Sequence, residues 1–419
     1  MPSARTRAAA PQDSAPTTDQ HTDWIGVALG LGLACLGAFQ LFKLPSVMPI
    51  LLESYGYDRA LAGGFMSIYA AAGLLLSLIF GRWITRRGAF VPALAALAVI
   101  SAGNLLGLLA PALGLVMLAA RALEGIGFTV LAIAGPVLAN RHAAPRHRPL
   151  VIGMTAGWIP VGQLTAGGLA PLLVESFGWQ ALWLVGLVLN VAMALWLIKR
   201  RAVIDHEPAA PSGNGRAPMP KLAPSLILML VVTGGIFLCW SGQYFAAMTW
   251  LPQYFVESQG LSIAWAQLSS LLPVIVLLGF NLATGVLIGR GLPIGALLTL
   301  ALASQAILWW CLPALDSAGL ALGVAALVIY GIGAGISPTC LFAIPNALVG
   351  VQKTQARAFG VIMTGRNLGV LLGPVVLAEV YKSAQSWTVA APVFGGATLF
   401  AMLLGLFLWV RLSRLQHAA

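Results

Sequence analysis

Of the 419 residues, 59% are hydrophobic and 8% are charged, with a formal net charge of +11. Soluble domains carry roughly 25% charged residues, so this chain is too apolar to cover a water-facing surface and belongs in lipid. The basic excess is spread through short polar gaps between apolar runs, which excludes a nucleic-acid-binding face and points to the orientation of a membrane protein.

Residues 1–23 are polar and read as a disordered cytoplasmic tail. The first apolar run is longer than a signal-peptide core, so it is expected to stay in the membrane rather than be cleaved. A helix needs about 20 apolar residues to cross the hydrocarbon. Twelve runs meet that length, near 24–52, 60–80, 89–110, 113–138, 149–173, 180–198, 224–252, 264–288, 293–313, 319–344, 357–379 and 388–411. The interval 199–223 contains KRR, DHEPAAPSGNG and scattered prolines, a linker composition. The chain therefore divides into a six-helix bundle at 24–198, a cytoplasmic linker at 199–223, a second bundle at 224–411 and a tail at 412–419. The expected fold class is an all-α membrane protein with both termini inside.

Loop charges set that orientation. With the amino terminus in the cytoplasm, the inside segments hold 18 Lys and Arg residues and the outside segments hold 2, Arg59 and Lys382. The positive-inside rule then fixes the topology, and a bacterial inner membrane is the expected location. Three basic residues, Lys43, Arg121 and Arg366, fall within helices instead.

The two halves echo one another. ESYG (53–56) recurs as ESQG (257–260), GRWITRRG (81–88) weakly as GVLIGRGL (285–292), EGIG (124–127) as YGIG (330–333), and Pro136 as Pro345, all at spacings of 204 to 209. Six helices per half make this a parallel duplication about an axis along the membrane normal, with a substrate site expected near the midplane between the halves.

With GRWITRRG between helices 2 and 3 and RALEGIG (121–127) in helix 4, the sequence resembles the major facilitator superfamily over essentially its whole length. That resemblance implies a monomeric transporter whose two bundles rock around a central site. It also implies that the loop residues Gly81, Arg86 and Gly88 take part in conformational gating. The usual acidic position of that loop is Thr85 here, which removes the charge contact that steadies the inward-closed state. Within the superfamily, FKLPSVMP, RALEGIGF and FGWQALWLVG look most like the cyanate-permease-like and nitrate/nitrite-like branches.

Candidate site residues follow from depth and charge. Lys43 stands nine residues before the end of its apolar run, about 14 Å of helix rise, too deep for its ammonium to snorkel. Gln40 and Ser46 flank it on the helix surface, and Pro45 and Pro49 free carbonyls that are expected to face a cavity. Arg366, beside Asn367, is near mid-membrane and offers a planar fork for an anion. Lys43 and Arg366 are thus expected to face each other across an anion site, with Tyr244 and Trp158 as further lining. Gly365, Gly369 and Gly373 read as a packing stripe. Arg121 and Glu124 share a helix face at i, i+3; they are either a structural ion pair or a proton-coupling pair. Tyr69, Gln163, Gln243, Asn281 and Asn346 are lesser candidates. RHAAPRHR (141–148) reads as an orientation and lipid-headgroup segment.

The midplane charges sum to +2, because Glu124 is the lone acid among three cations. An uncompensated positive site calls for a negative ligand. The expected function is secondary transport of a small anion such as cyanate, nitrate, nitrite or a small carboxylate. A proton-coupled exporter of drugs or metabolites is the alternative. No Walker A motif, nucleophile–base pair or metal-ligand spacing occurs. No enzyme activity, cofactor, metal or nucleic-acid partner is therefore expected. The four cysteines read as packing residues.

Overall fold

The computed structural model describes residues 21–201, 223–317, 319–349 and 355–417. Most of the predicted linker and of the amino-terminal tail, residues 418–419, and the side chains of Thr85 and Asn346 lie outside these residues. The first half contains α1 (Trp24–Tyr55), α2 (Arg59–Arg87), α3 (Phe90–Leu109), α4 (Gly114–Arg141), α5 (Arg148–Ala156), α6 (Trp158–Phe177) and α7 (Gln180–Lys199). The second contains α8 (Pro224–Glu257), α9 (Ile263–Ser269), α10 (Leu272–Gly289), α11 (Ile294–Asp316), α12 (Leu320–Val349), α13 (Gln355–Ala384) and α14 (Ala390–His417). Among the described residues, eleven spans are long and apolar enough to cross a membrane, and α5 with α6, bent by 46°, makes a twelfth if the pair is one span. The protein is an all-α, multi-pass membrane protein.

The helix boundaries follow local chemistry. Asp58 accepts from the backbone N–H groups of Ala60 and Leu61 at 2.9 and 3.3 Å, satisfying donors that the first turn of α2 leaves open. Gly56, at φ 60°, ends α1 in the left-handed region that L side chains avoid. The break between α5 and α6 was not expected from the uniform apolar run. Its cause is Pro160, which has no N–H for the Ala156 carbonyl four residues earlier, so the α-helical ladder lapses at Gly157.

Within each half, close helix crossings rest on small residues. The predicted stripe on α13 packs against α8. A Cβ on Gly365 would collide with the Gly234 carbonyl, one on Gly369 with Ser241 and the Leu238 carbonyl, and one on Gly373 with the Gly242 carbonyl. Between the halves, contact concentrates at the end that carries the α1–α2 connection, called here the loop end. Arg59 pairs with Glu257 at 2.5 Å, Lys382 pairs with Asp58 at 3.0 Å, and Gln267 donates to the Ser46 carbonyl at 2.7 Å. Arg59 also stacks on Tyr381, 4.2 Å from its ring centre. Toward the terminal end, Arg86 of α2 and Thr364 of α13 are exposed. The halves are closed at the loop end.

Candidate functional site

The two groups of polar residues expected at one site lie in two places. The first is a sealed network inside the first half. Pro45 of α1 has no N–H to offer Leu41, and the freed Leu41 carbonyl accepts from Arg121 Nη2 of α4 at 3.0 Å. Arg121 Nη1 donates to the Gln40 carbonyl at 2.9 Å, and its Nε donates to the Phe65 carbonyl of α2 at 3.2 Å. The Leu41 carbonyl freed by Pro45 therefore goes to a guanidinium rather than to a cavity. That guanidinium also pairs with Glu124 Oε2 at 2.5 Å, the i, i+3 contact expected from the sequence.

Glu124 gathers the rest. Its Oε1 lies 3.2 Å from Lys43 Nζ, and its Oε2 accepts from the Tyr69 hydroxyl at 2.5 Å. Lys43 also donates to Gln40 Oε1 at 2.7 Å and to Asn104 Oδ1 of α3, and it sits 4.3 Å from the centre of the Trp183 ring of α7. Gln40 Nε2 reaches the Gly186 carbonyl at 3.1 Å and Asn190 Oδ1 at 3.3 Å, both on α7. The side chains of Lys43, Arg121 and Glu124 have no solvent exposure. Every partner named belongs to the first half, so in this conformation Lys43 and Gln40 do not line the seam between the halves. The expected opposition of Lys43 and Arg366 is corrected accordingly: Glu124 holds Lys43 on its own side. The cluster carries two cations and one anion, net +1, dispersed over carbonyl and amide oxygens.

The second half repeats this arrangement without its charges. Gln243, Trp309 and Tyr330 stand 203, 205 and 206 residues after Gln40, Asn104 and Glu124. Gln243 Oε1 accepts from Trp309 Nε1 at 2.8 Å and from the Tyr330 hydroxyl at 2.7 Å. Ala247, the repeat mate of Lys43, lines an apolar cavity of about 530 Å³ together with Trp309. A neutral hub thus occupies the place of the charged one.

The second place is the seam itself. Arg366 on α13 is half-buried. Its guanidinium lies 5.8 Å from the Phe245 ring centre, and its Nη1 donates to Asn367 Oδ1 at 3.2 Å. Among the described residues, no carboxylate lies within ion-pairing distance of it. Asn367 approaches Gly73 of α2, where Thr129 of α4 also comes close. Tyr244 of α8 donates to Gln163 Oε1 of α6 at 3.0 Å, bridging the halves. Phe42 stacks on Phe245 across the same seam at 5.9 Å, Trp240 stacks on Tyr244 at 5.2 Å, and Trp158 leans on Phe128 at 5.8 Å. Arg366, Asn367 and Tyr244 are therefore gathered at the seam, with Trp158 on the first-half side. Asn281 is separate, bonded to Thr339 at 2.5 Å within the second half.

Of the expected gating residues, Gly88 ends α2 with φ 75°, Gly81 lies two turns before it, and Arg86 is exposed. Asn104, Asn190 and Trp183 were not singled out from the sequence. The available signal was a lone amide within each apolar helix, since such a group must find an internal partner.

Two helical halves that meet at a seam carrying the Arg366 guanidinium define a polytopic membrane protein. The sequence profile of the Major Facilitator Superfamily matches residues 29–354, and the chain belongs to that family. It is similar to a hexuronate transporter of Bacillus subtilis (strain 168), 25% identical over 247 residues that cover 57% of each chain. It is also similar to "Probable galactarate/D-glucarate transporter GarP" of Escherichia coli (strain K12), 24% identical over 282 residues, 58% of this chain and 61% of that one. A third relative is "Probable anion transporter 6, chloroplastic" of Arabidopsis thaliana, 24% identical over 251 residues, 53% of this chain and 46% of that one. The chain thus spans about half to three fifths of the length of the curated relatives it matches.

Proposed function

We propose that the protein is a secondary transporter of a small organic anion, bound at the seam through Arg366. The observation that carries this reading is the half-buried Arg366 guanidinium, which has no carboxylate partner among the described residues. An arginine kept at mid-membrane without an acid is costly unless an anion visits it. Its planar fork suits a carboxylate. Asn367, Gln163 and Tyr244 would hydrogen-bond a hydroxylated body, and Trp158, Trp240 and Phe245 would pack its apolar edges. The names of the relatives, for hexuronate, galactarate/D-glucarate and anions, agree with this chemistry.

Transport would proceed by rocking of the two halves. Closure at the loop end, through the Arg59–Glu257 and Lys382–Asp58 pairs, is a feature of one of the two access states. The loop-charge bias supports cytoplasmic termini, and with those termini inside a bacterial inner membrane this state would face inward. Glu124 is the coupling candidate, because Lys43, Arg121 and Tyr69 all converge on its buried carboxylate and rocking of the halves would rearrange them. Gly81, Arg86 and Gly88 would move with the terminal end of α2.

The test is counterflow in proteoliposomes with a labelled hexuronate, a labelled aldarate and a labelled neutral hexose. The reading expects at least one acid to exchange and the neutral sugar not to exchange. Exchange of the neutral sugar alone overturns it.

A further inference from the structure

We infer that the terminal end of α2 is a binding site for the phosphate of an anionic phospholipid, in the leaflet on the side of the termini. Arg82, Trp83, Arg86 and Arg87, with Ile79, line a pocket of about 430 Å³. The three arginines are exposed, and Trp83 is half-buried against Phe80 at 6.4 Å. At 100° per residue, Leu75, Ile79, Arg82 and Arg86 form one stripe along the helix. Arg82 is nine residues beyond Gly73, half a turn round from the face that Gly73 presents to Asn367 of α13. The stripe therefore points away from α13, toward lipid. Leu75 and Ile79 on it are 72% and 58% exposed. An acyl chain along these side chains would bring its headgroup to the arginines, with Trp83 at the depth where indoles settle.

The charge distribution supplies the second observation. No Asp or Glu occurs between Asp58 and Glu124, in 125–174, in 258–315 or in 317–378. On the terminal side, the one acid among the described residues is Asp23, the N-cap of α1. It is engaged by Arg200 at 2.6 Å and His142 at 3.3 Å. The remaining acids on that side, Asp13, Asp19, Asp205 and Glu207, belong to the tail and the linker. Among the described residues, Arg82, Arg86 and Arg87 pair with no carboxylate. Arginine forks match phosphate oxygens with two hydrogen bonds each, so a lipid phosphate suits this cluster.

The experiment is native mass spectrometry of the purified full chain, exchanged into phosphatidylglycerol or phosphatidylcholine of identical acyl composition. The wild type should retain phosphatidylglycerol over phosphatidylcholine by about tenfold or more, as expected for several arginines at an anionic surface. R82Q/R86Q/R87Q should abolish that preference, and Trp83→Ala should weaken it. Arg290→Gln, a basic residue on the same side of the other half, should leave it unchanged. Equal retention of the two lipids by the wild type overturns the proposal without reliance on any variant. So does an undiminished preference in the triple variant, or an equal loss in Arg290→Gln. Millimolar inorganic phosphate is the last arm: failure to displace the lipid supports the lipid source, and full displacement assigns the site to free phosphate and overturns it.

Discussion

The Lys43 ammonium lies 3.2 Å from the Glu124 carboxylate, and neither side chain has any solvent exposure. Arg121 shares the same carboxylate at 2.5 Å, so one anion bridges two cations. Removing one member of such a buried group costs more than the group contributes, because the remaining charge is stranded. Glu124→Gln should therefore be the most damaging single change here, by roughly 3–5 kcal/mol. Lys43→Met leaves a neutral Arg121–Glu124 pair and should cost less, roughly 1–3 kcal/mol through the lost hydrogen bonds. Thermal unfolding in detergent of both single variants and the double variant checks the order. A Lys43→Met variant less stable than Glu124→Gln contradicts it.

The loop-end contacts predict a shift in access. Arg59→Gln removes the pair with Glu257 and the stacking on Tyr381 together. Labelling of single cysteines placed at the loop-end seam should rise several-fold in this variant while total expression holds. Unchanged labelling would mean that the Arg59–Glu257 pair does not bias closure.

Acid should loosen the same end. The hydrogen bond from Lys382 is the leading cause that holds the Asp58 carboxyl below its usual range. A carboxyl with a depressed pKa in the closed state favours that state above its ordinary pKa, and the effect is lost as pH falls through the depressed value. Closure should be insensitive to pH from 8 to 5 and weaken below about pH 4. The pair is exposed, so the effect is small. Asp58→Asn should remove it, measured by the same labelling across pH.

Gly369 gives a packing test. A side chain there meets Ser241 and the Leu238 carbonyl of α8, both close to backbone and unable to yield. Gly369→Val should part α8 from α13 and abolish folded yield, at a cost above the ~1–3 kcal/mol typical of overpacking. Gly396, where an added Cβ meets open space, should accept alanine with little change by the same assay.

Much of this architecture is written in the chain because lipid leaves few alternatives to continuous apolar helices. Helix number and the Gly365–Gly373 stripe follow from composition and spacing alone. The Arg121–Glu124 pair was legible from its i, i+3 register. The partner of Lys43 was not, because Lys43 and Glu124 are 81 residues apart and nothing local aims one at the other. Charge counting identified the surplus cations but could not say which shared the single acid. The fate of the Leu41 carbonyl freed by Pro45 was hidden for the same reason, since Arg121 arrives from another helix. Among the described residues Arg366 pairs with no carboxylate, and the proposed function therefore rests on it.

The most direct test is counterflow of a labelled organic acid by the wild type and by Arg366→Gln at equal reconstituted amounts and matched melting temperature. The account predicts that the variant loses at least about 99% of exchange, the scale of a charge-assisted bidentate contact of roughly 3 kcal/mol. Arg366→Lys should recover part of it. Full exchange by a folded Arg366→Gln protein would contradict the assignment of the anion site to this residue.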